Sequence, residues 1–245
     1  PAPDTQPIRN LPSALERKNE IFHMIRKASP AIFLDYDGTL TPIVPQPEDA
    51  VLPTRTRKTV RRLAEHYTVA VISGRDLEDV RNMVGISDIV YAGSHGFDIA
   101  GPGGEYREQK MGERFLPALD RAQSSLNKSI RKFQGARVER KRFAIAVHYR
   151  NMDDSLVDDL ESVVDHVLVD ETELRKSTGK KIFELVPRIE WNKGRAILSL
   201  LDTLYVDGTK TVPLFIGDDT TDEDGFRAIK DRGVSVVVGT DGRES

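Results

Sequence analysis

Ala31-Ile32-Phe33-Leu34-Asp35-Tyr36-Asp37-Gly38-Thr39-Leu40 passes from four apolar residues directly into two carboxylates and a glycine turn. A short apolar run closed in this way predicts a buried parallel strand with its polar residues at the carboxyl end. Downstream, Pro42, Pro45, Pro47 and Pro53 stiffen a loop, and helical spacing returns through Val60, Leu63 and Ala64. Thr68–Ile72 is a second apolar, β-branched strand ending at Ser73-Gly74-Arg75, followed by a helix over about 76–84 and a strand over about 89–92. Upstream, Ser13 and Glu16 read as a capping box opening a helix with Leu15, Phe22 and Ile25 on one face. Strands alternating with helices indicate βαβ units and a parallel sheet.

The middle of the chain changes pattern. A long amphipathic helix over about 111–133 precedes strands near 136–140 and 143–149, a helix over about 154–167, and strands near 174–176 and 181–186. That α-β-β-α-β-β order predicts an antiparallel sheet with helices on one face. After Pro187 the βα pattern resumes, with helices over about 193–205 and 222–230 and strands over about 212–216 and 234–238. The expected organisation is a parallel-sheet core, 1–108 and 188–245, interrupted by an inserted cap at 109–187.

Composition narrows the function classes. The chain has 245 residues, no cysteine and a net charge of −3. Disulfides, zinc-thiolate sites and cysteine nucleophiles are excluded, and a reducing cytoplasmic setting is expected. The charge balance argues against nucleic acid as a partner, and no apolar run approaches the roughly 20 residues of a membrane span. Residues 1–10 have neither the basic head nor the apolar stretch of a secretory signal.

Ligands of open α/β sheets bind beyond the carboxyl ends of the strands. Asp35 and Asp37 follow the first strand, Ser73 the second, and Gly217-Asp218-Asp219 the 212–216 strand. Three carboxylates gathered there require a cation, and all-oxygen ligation points to a hard ion such as Mg²⁺. One carboxylate of such a group can attack phosphorus while another shuttles a proton, and Lys193 can offset the phosphate's charge. Each residue also has a plainer reading. Asp-Gly is a common turn pair, Ser73 suits a helix N-cap, and Lys193 suits a solvated surface. Glu223 and Asp224 complement a helix dipole, His95 and His148 read as structural histidines, and Trp191 as packing. Gly101-Pro102-Gly103-Gly104 reads as a hairpin turn, and Ser177-Thr178-Gly179-Lys180 lacks the remaining signature of a phosphate loop.

Taken in order, Asp35-Tyr36-Asp37-Gly38-Thr39-Leu40, Ser73, Lys193 and Gly217-Asp218-Asp219-Thr220-Thr221-Asp222 resemble the four motifs of the haloacid-dehalogenase phosphatases. The resemblance implies a Rossmann-like α/β core with an inserted α+β cap. It implies Asp35 as nucleophile, Asp37 as general acid and base, and Ser73, Gly74 and Lys193 around the phosphoryl group. It further implies Mg²⁺ held by Asp35, the Asp37 carbonyl and Asp218, supported by Asp219 or Asp222.

Further wording is similar to the trehalose-6-phosphate phosphatase family: Ser73-Gly74-Arg75, Gly93-Ser94-His95-Gly96, Val138-Glu139-Arg140-Lys141, His148-Tyr149-Arg150, 179–185 and Asn192-Lys193-Gly194. By that similarity Glu139, Lys141, Arg150, Lys180 and Glu184 of the cap grip the sugar, and Arg75 and His95 join the substrate-binding set. Asp98 stands where the family usually has Glu. The implied reaction is hydrolysis of trehalose 6-phosphate, the last step of trehalose biosynthesis, and relatives beside a synthase-like domain suggest association with a trehalose-6-phosphate synthase. Two other readings stay open. One is a different capped sugar phosphatase or phosphohexomutase, and the other is a catalytically silent domain that binds the sugar phosphate and regulates a partner.

Overall fold

The computed structural model describes residues 11–26, 28–104, 106–108, 112–179, 181–204 and 211–239. Residue contacts divide the chain into two compact units, Pro1–Arg107 with Trp191–Ser245 and Glu108–Glu190. The first unit holds a seven-stranded sheet in the order β11-β10-β1-β2-β3-β4-β5. Its strands are β1 (Ser29–Leu34), β2 (Thr68–Ile72), β3 (Val90–Gly93), β4 (Asp98–Ala100), β5 (Tyr106–Glu108), β10 (Thr211–Gly217) and β11 (Val234–Val237). Pairings β11–β10, β10–β1, β1–β2 and β2–β3 are parallel, whereas β4 returns antiparallel to β3.

Alternation along β1 explains why both sheet faces are covered. Ile32 and Leu34 pack with Val69, Val71, Val60, Val80 and Val84, using α2 (Thr54–Ala64) and α3 (Leu77–Val84). Ala31 and Phe33 point the other way, into Ala70 of β2, Phe215 of β10, Ile197 and Leu200 of α6 (Lys193–Leu204) and Ile229 of α7 (Glu223–Ile229). A strand apolar on both faces belongs at the centre of such a sandwich. The N-terminal helix forms as α1 (Lys18–Ile25), starting later than a capping box at Ser13 and Glu16 would open it, with Arg17 at its N-cap and none of its residues buried. The sequence pattern does not predict the β4 and β5 extension, because each strand has three residues and neither carries an alternating pattern. Gly101–Gly104 lies between them, and Pro102–Gly104 forms a 3₁₀ turn with Gly103 left-handed.

The second unit is a four-stranded antiparallel sheet in the order β6-β7-β9-β8 with two helices. Its elements are α4 (Leu116–Ser129), β6 (Arg137–Lys141), β7 (Ala144–His148), α5 (Val157–Asp170), β8 (Leu174–Gly179) and β9 (Ile182–Pro187). Ile145, Val147, Phe183 and Leu185 pack against Leu119 and Leu126 of α4 and Leu160 and Val164 of α5. Both helices therefore cover one face. Residues of opposite parity, including Glu139, Ala146 and Glu184 in direct register, line the other. The sequence placed the joints between core and cap after residues 108 and 187; contacts place them at Arg107/Glu108 and Glu190/Trp191.

Candidate active site

Strand order carries the site. β10, β1 and β2 are neighbours, so the residues just past their carboxyl ends, Asp218, Asp35 and Ser73, are brought to one edge of the sheet. Register sets the detail: Leu34 pairs with Ile216 and Val71, and Asp35 N donates to the Ile216 carbonyl at 2.9 Å. Gly38 turns the chain after β1 at φ +90°, and a Cβ there would stand 2.1 Å from Asp218 Oδ2. Only glycine combines that backbone with room for the Asp218 carboxylate.

At the centre lies a buried cation. Lys193, at the first turn of α6, is 3 % exposed, so the surface reading of this lysine does not hold. Its Nζ donates to Asp35 Oδ1 at 2.7 Å and to Asp222 Oδ1 at 2.6 Å. Asp222 is fully buried, and its Oδ2 accepts from the backbone N–H groups of Asp218 and Asp219, both at 3.0 Å. Both Asp222 oxygens are thus engaged by the protein, and its visible work is to hold Lys193 and the β10–α7 turn. Asp219 turns outward and caps that turn, accepting from Thr220 N at 2.6 Å.

Ligand oxygens of Asp35, Asp218 and Asp222 lie within 4.8 Å of one another. The ammonium bonds two of these carboxylates, and Asp218 adds a third negative charge near Asp35. Burial pushes the Asp35 carboxyl up to about 7; Lys193 opposes this, and Asp222 and Asp218 add to it. Burial also works against the Lys193 ammonium, yet Asp35 and Asp222 raise it to about 12. The lysine therefore stays charged, and the excess of carboxylates acts against ionisation of Asp35. A cation bound by these oxygens would relieve that excess, and an all-carboxylate set fits a hard divalent ion. The donor chemistry of the site accordingly matches a metal-dependent phosphatase.

Ser73 is 1 % exposed and its Oγ accepts from Arg75 N at 3.1 Å. It is not the helix cap that a plainer reading suggests; α3 begins after Asp76. Gly74 lies against the His95 imidazole, where a Cβ would approach Cε1 to 2.7 Å. Ser94 and His95 are both left-handed, at φ 49° and 57°, and their N–H groups donate to the Arg75 and Ser73 carbonyls. Two adjacent non-glycine residues in that region represent local strain of the kind found at functional sites. Arg75, expected in the substrate-binding set, forks onto Asp37, its Nε and Nη2 donating to the two carboxylate oxygens.

In the second unit, Glu139 and Lys141 lie on β6 and Glu184 on β9, and Lys141 Nζ donates to Glu184 Oε1 at 2.8 Å. Arg150 is exposed in the turn after β7, and Lys180 lies outside the described residues. His148, read from sequence as structural, sits with Nε2 2.7 Å from Glu139 Oε2. No sequence signal links residues on neighbouring strands before register is known. Trp191 packs on Phe97, with ring centroids 6.1 Å apart.

A parallel sheet with helices on both faces, an inserted α+β unit, and aspartates at adjacent strand ends around a buried lysine define a haloacid-dehalogenase-type phosphatase, a phosphoric monoester hydrolase. A family model described as trehalose-phosphatase matches residues 33–245. The chain belongs to the trehalose-phosphatase family. It is 39 % identical to a probable trehalose-phosphate phosphatase H of Arabidopsis thaliana, over 93 % of this chain and 69 % of that protein. It is 42 % identical to an uncharacterized glycosyl hydrolase of Mycobacterium tuberculosis over 94 % of this chain, which spans only 18 % of that relative. Among solved structures, an Aspergillus fumigatus trehalose-6-phosphate phosphatase is 28 % identical with a TM-score of 0.66, covering 93 % of this chain and 89 % of that one.

Proposed function

We propose that this protein hydrolyses trehalose 6-phosphate to trehalose and phosphate through an aspartyl-phosphate on Asp35, as the last step of trehalose biosynthesis. The observation that carries the reading is the buried Lys193 bridging Asp35 and Asp222 at the carboxyl ends of adjacent strands. An Asp35 oxygen attacks phosphorus as the bond to the sugar oxygen breaks, and Asp37 delivers a proton to that oxygen. Water then attacks the acyl-phosphate, Asp37 takes its proton, phosphate leaves and Asp35 is restored. Ser73 and Gly74 at the strand end and the Lys193 ammonium hold the phosphoryl oxygens. Mg²⁺, held by Asp35, the Asp37 carbonyl and Asp218, would supply neutralising charge when bound.

Sugar recognition is assigned to Glu139, Lys141, Arg150, Lys180 and Glu184, with His95 beside Gly74. The support is their charge, which suits a polyhydroxylated substrate, and the pre-ordered Lys141–Glu184 pair. Association with a trehalose-6-phosphate synthase and a cytoplasmic location complete the proposal. They rest on the family resemblance and on the absence of cysteine; among the described residues no helix is long and apolar enough to cross a membrane. Phosphate release over a panel of sugar phosphates tests the whole. Trehalose 6-phosphate is expected to be the preferred ester, with turnover lost in EDTA, restored by Mg²⁺, and abolished in Asp35→Asn. Preference for another sugar phosphate would point to a different capped phosphatase. Binding without any release would point to the silent regulatory domain.

A further inference from the structure

Arg75 is engaged on three sides by its own protein. Its Nε donates to Asp37 Oδ2 at 2.7 Å, and its Nη2 donates to Asp37 Oδ1 at 2.6 Å and to the Pro47 carbonyl at 2.7 Å. The guanidinium also lies over the Tyr36 ring, 5.5 Å from the centroid. Tyr36 is fully buried, and its hydroxyl donates to the Ala50 carbonyl at 2.6 Å. One side chain from the turn after β2 therefore ties together the turn after β1 and the proline-rich loop. The arginine side chain is 14 % exposed and the Asp37 side chain 43 %, so the fixed partner is the cation.

We propose that Arg75 is a positioning residue for Asp37, setting the orientation in which that carboxylate exchanges protons with the leaving oxygen and with water. The proposal rests on the reading of Asp37 as the general acid and base. A carboxylate offers about four lone-pair sites, and a guanidinium fork takes two. One site on each oxygen stays available for the proton while the plane of the group is held. The Pro47 bond and the Tyr36 ring keep the guanidinium from turning with its partner. An ammonium at the same place would keep the charge and lose the fork. In sequence Arg75 lies beside Ser73 and 38 positions from Asp37, and only the fold brings its Nε and Nη2 onto Asp37 and the Pro47 carbonyl.

The test uses the full chain with Mg²⁺ and two esters, trehalose 6-phosphate and p-nitrophenyl phosphate, whose leaving group departs without protonation. Arg75→Lys, Arg75→Met, Asp37→Asn and the Arg75→Lys/Asp37→Asn double variant are compared. Misplacing a reacting group by about 1 Å costs roughly 10²-fold. Arg75→Lys is accordingly expected to lower kcat for the sugar ester about 10²-fold, with a loss at least tenfold smaller on the nitrophenyl ester. KM for the sugar ester should hold, and the double variant should lose no more than Asp37→Asn alone. Melting temperatures are measured on the same preparations, and Arg75→Lys, which keeps the charge, guards against a folding failure in Arg75→Met. A rise in KM with kcat intact, or losses that multiply in the double variant, would overturn the proposal and return Arg75 to the substrate. Equal losses on both esters in Asp37→Asn would overturn the acid–base reading and the proposal with it. Selectivity in Asp37→Asn but not in Arg75→Lys would overturn the proposal alone.

Discussion

Glu139 shows how a single contact sets a pH dependence. Its carboxyl is held below the usual value of 4.5, first by the hydrogen bond with His148, against burial, and then by Lys141 and Arg137. A carboxyl lowered on folding contributes stability that is present above about 4.5 and lost as pH falls through its folded value. The parent is therefore expected to melt above Glu139→Gln at pH 7, with the gap closing as pH is taken towards 3. A gap that stays constant across that range would mean the pair does not act through charge. Such contacts were not legible in the sequence. Val138-Glu139-Arg140-Lys141 and His148-Tyr149-Arg150 were readable as motifs, but the pairing of Glu139 with His148 depends on β6–β7 register, as Lys141 with Glu184 depends on β7 joining β6 to β9.

At the scale of elements, the turn after β1 does the most specialised work. Gly38 has a left-handed backbone and no space for a side chain, because Asp218 from the turn after β10 fills that place. Gly38→Ala must shift either the backbone or the Asp218 carboxylate, and a residue unable to adopt such a backbone destabilises by more than about 1 kcal/mol. The expected outcome is a lower melting temperature together with weaker Mg²⁺ affinity, read by calorimetric titration and by the Mg²⁺ dependence of turnover. Unchanged Mg²⁺ affinity would show that Asp218 is free to move or does not hold the ion. Strand ends and their polar punctuation were visible in the sequence, since apolar runs of four or five residues stop abruptly at Asp35, Ser73 and Gly217. The short β4 and β5 were not, because three residues carry too little pattern to separate a strand from a loop.

Across the whole molecule, the carboxylates, Ser73 and Lys193 belong to one compact unit, and Glu139, Lys141 and Glu184 to the other. If chemistry and sugar recognition divide in the same way, Glu184→Ala should lower kcat/KM for trehalose 6-phosphate about tenfold to a hundredfold, matching the loss of a charged hydrogen bond of about 1.5–3 kcal/mol. Hydrolysis of p-nitrophenyl phosphate and the melting temperature should be spared; parallel losses on both esters with a lower melting temperature would indicate a purely structural role. The class of protein was determined by the sequence alone. Hydrophobic period and the residue types at strand ends are local properties, and Asp35, Asp37, Ser73, Lys193 and Asp218 could be named from them and from the motifs they form. What each side chain holds was decided only by the tertiary structure. Lys193 lies 158 positions from Asp35 and 29 from Asp222, and Arg75 lies 38 from Asp37. Strand order and register close those separations, and a hydrogen bond of less than 3 Å exists only after they have done so.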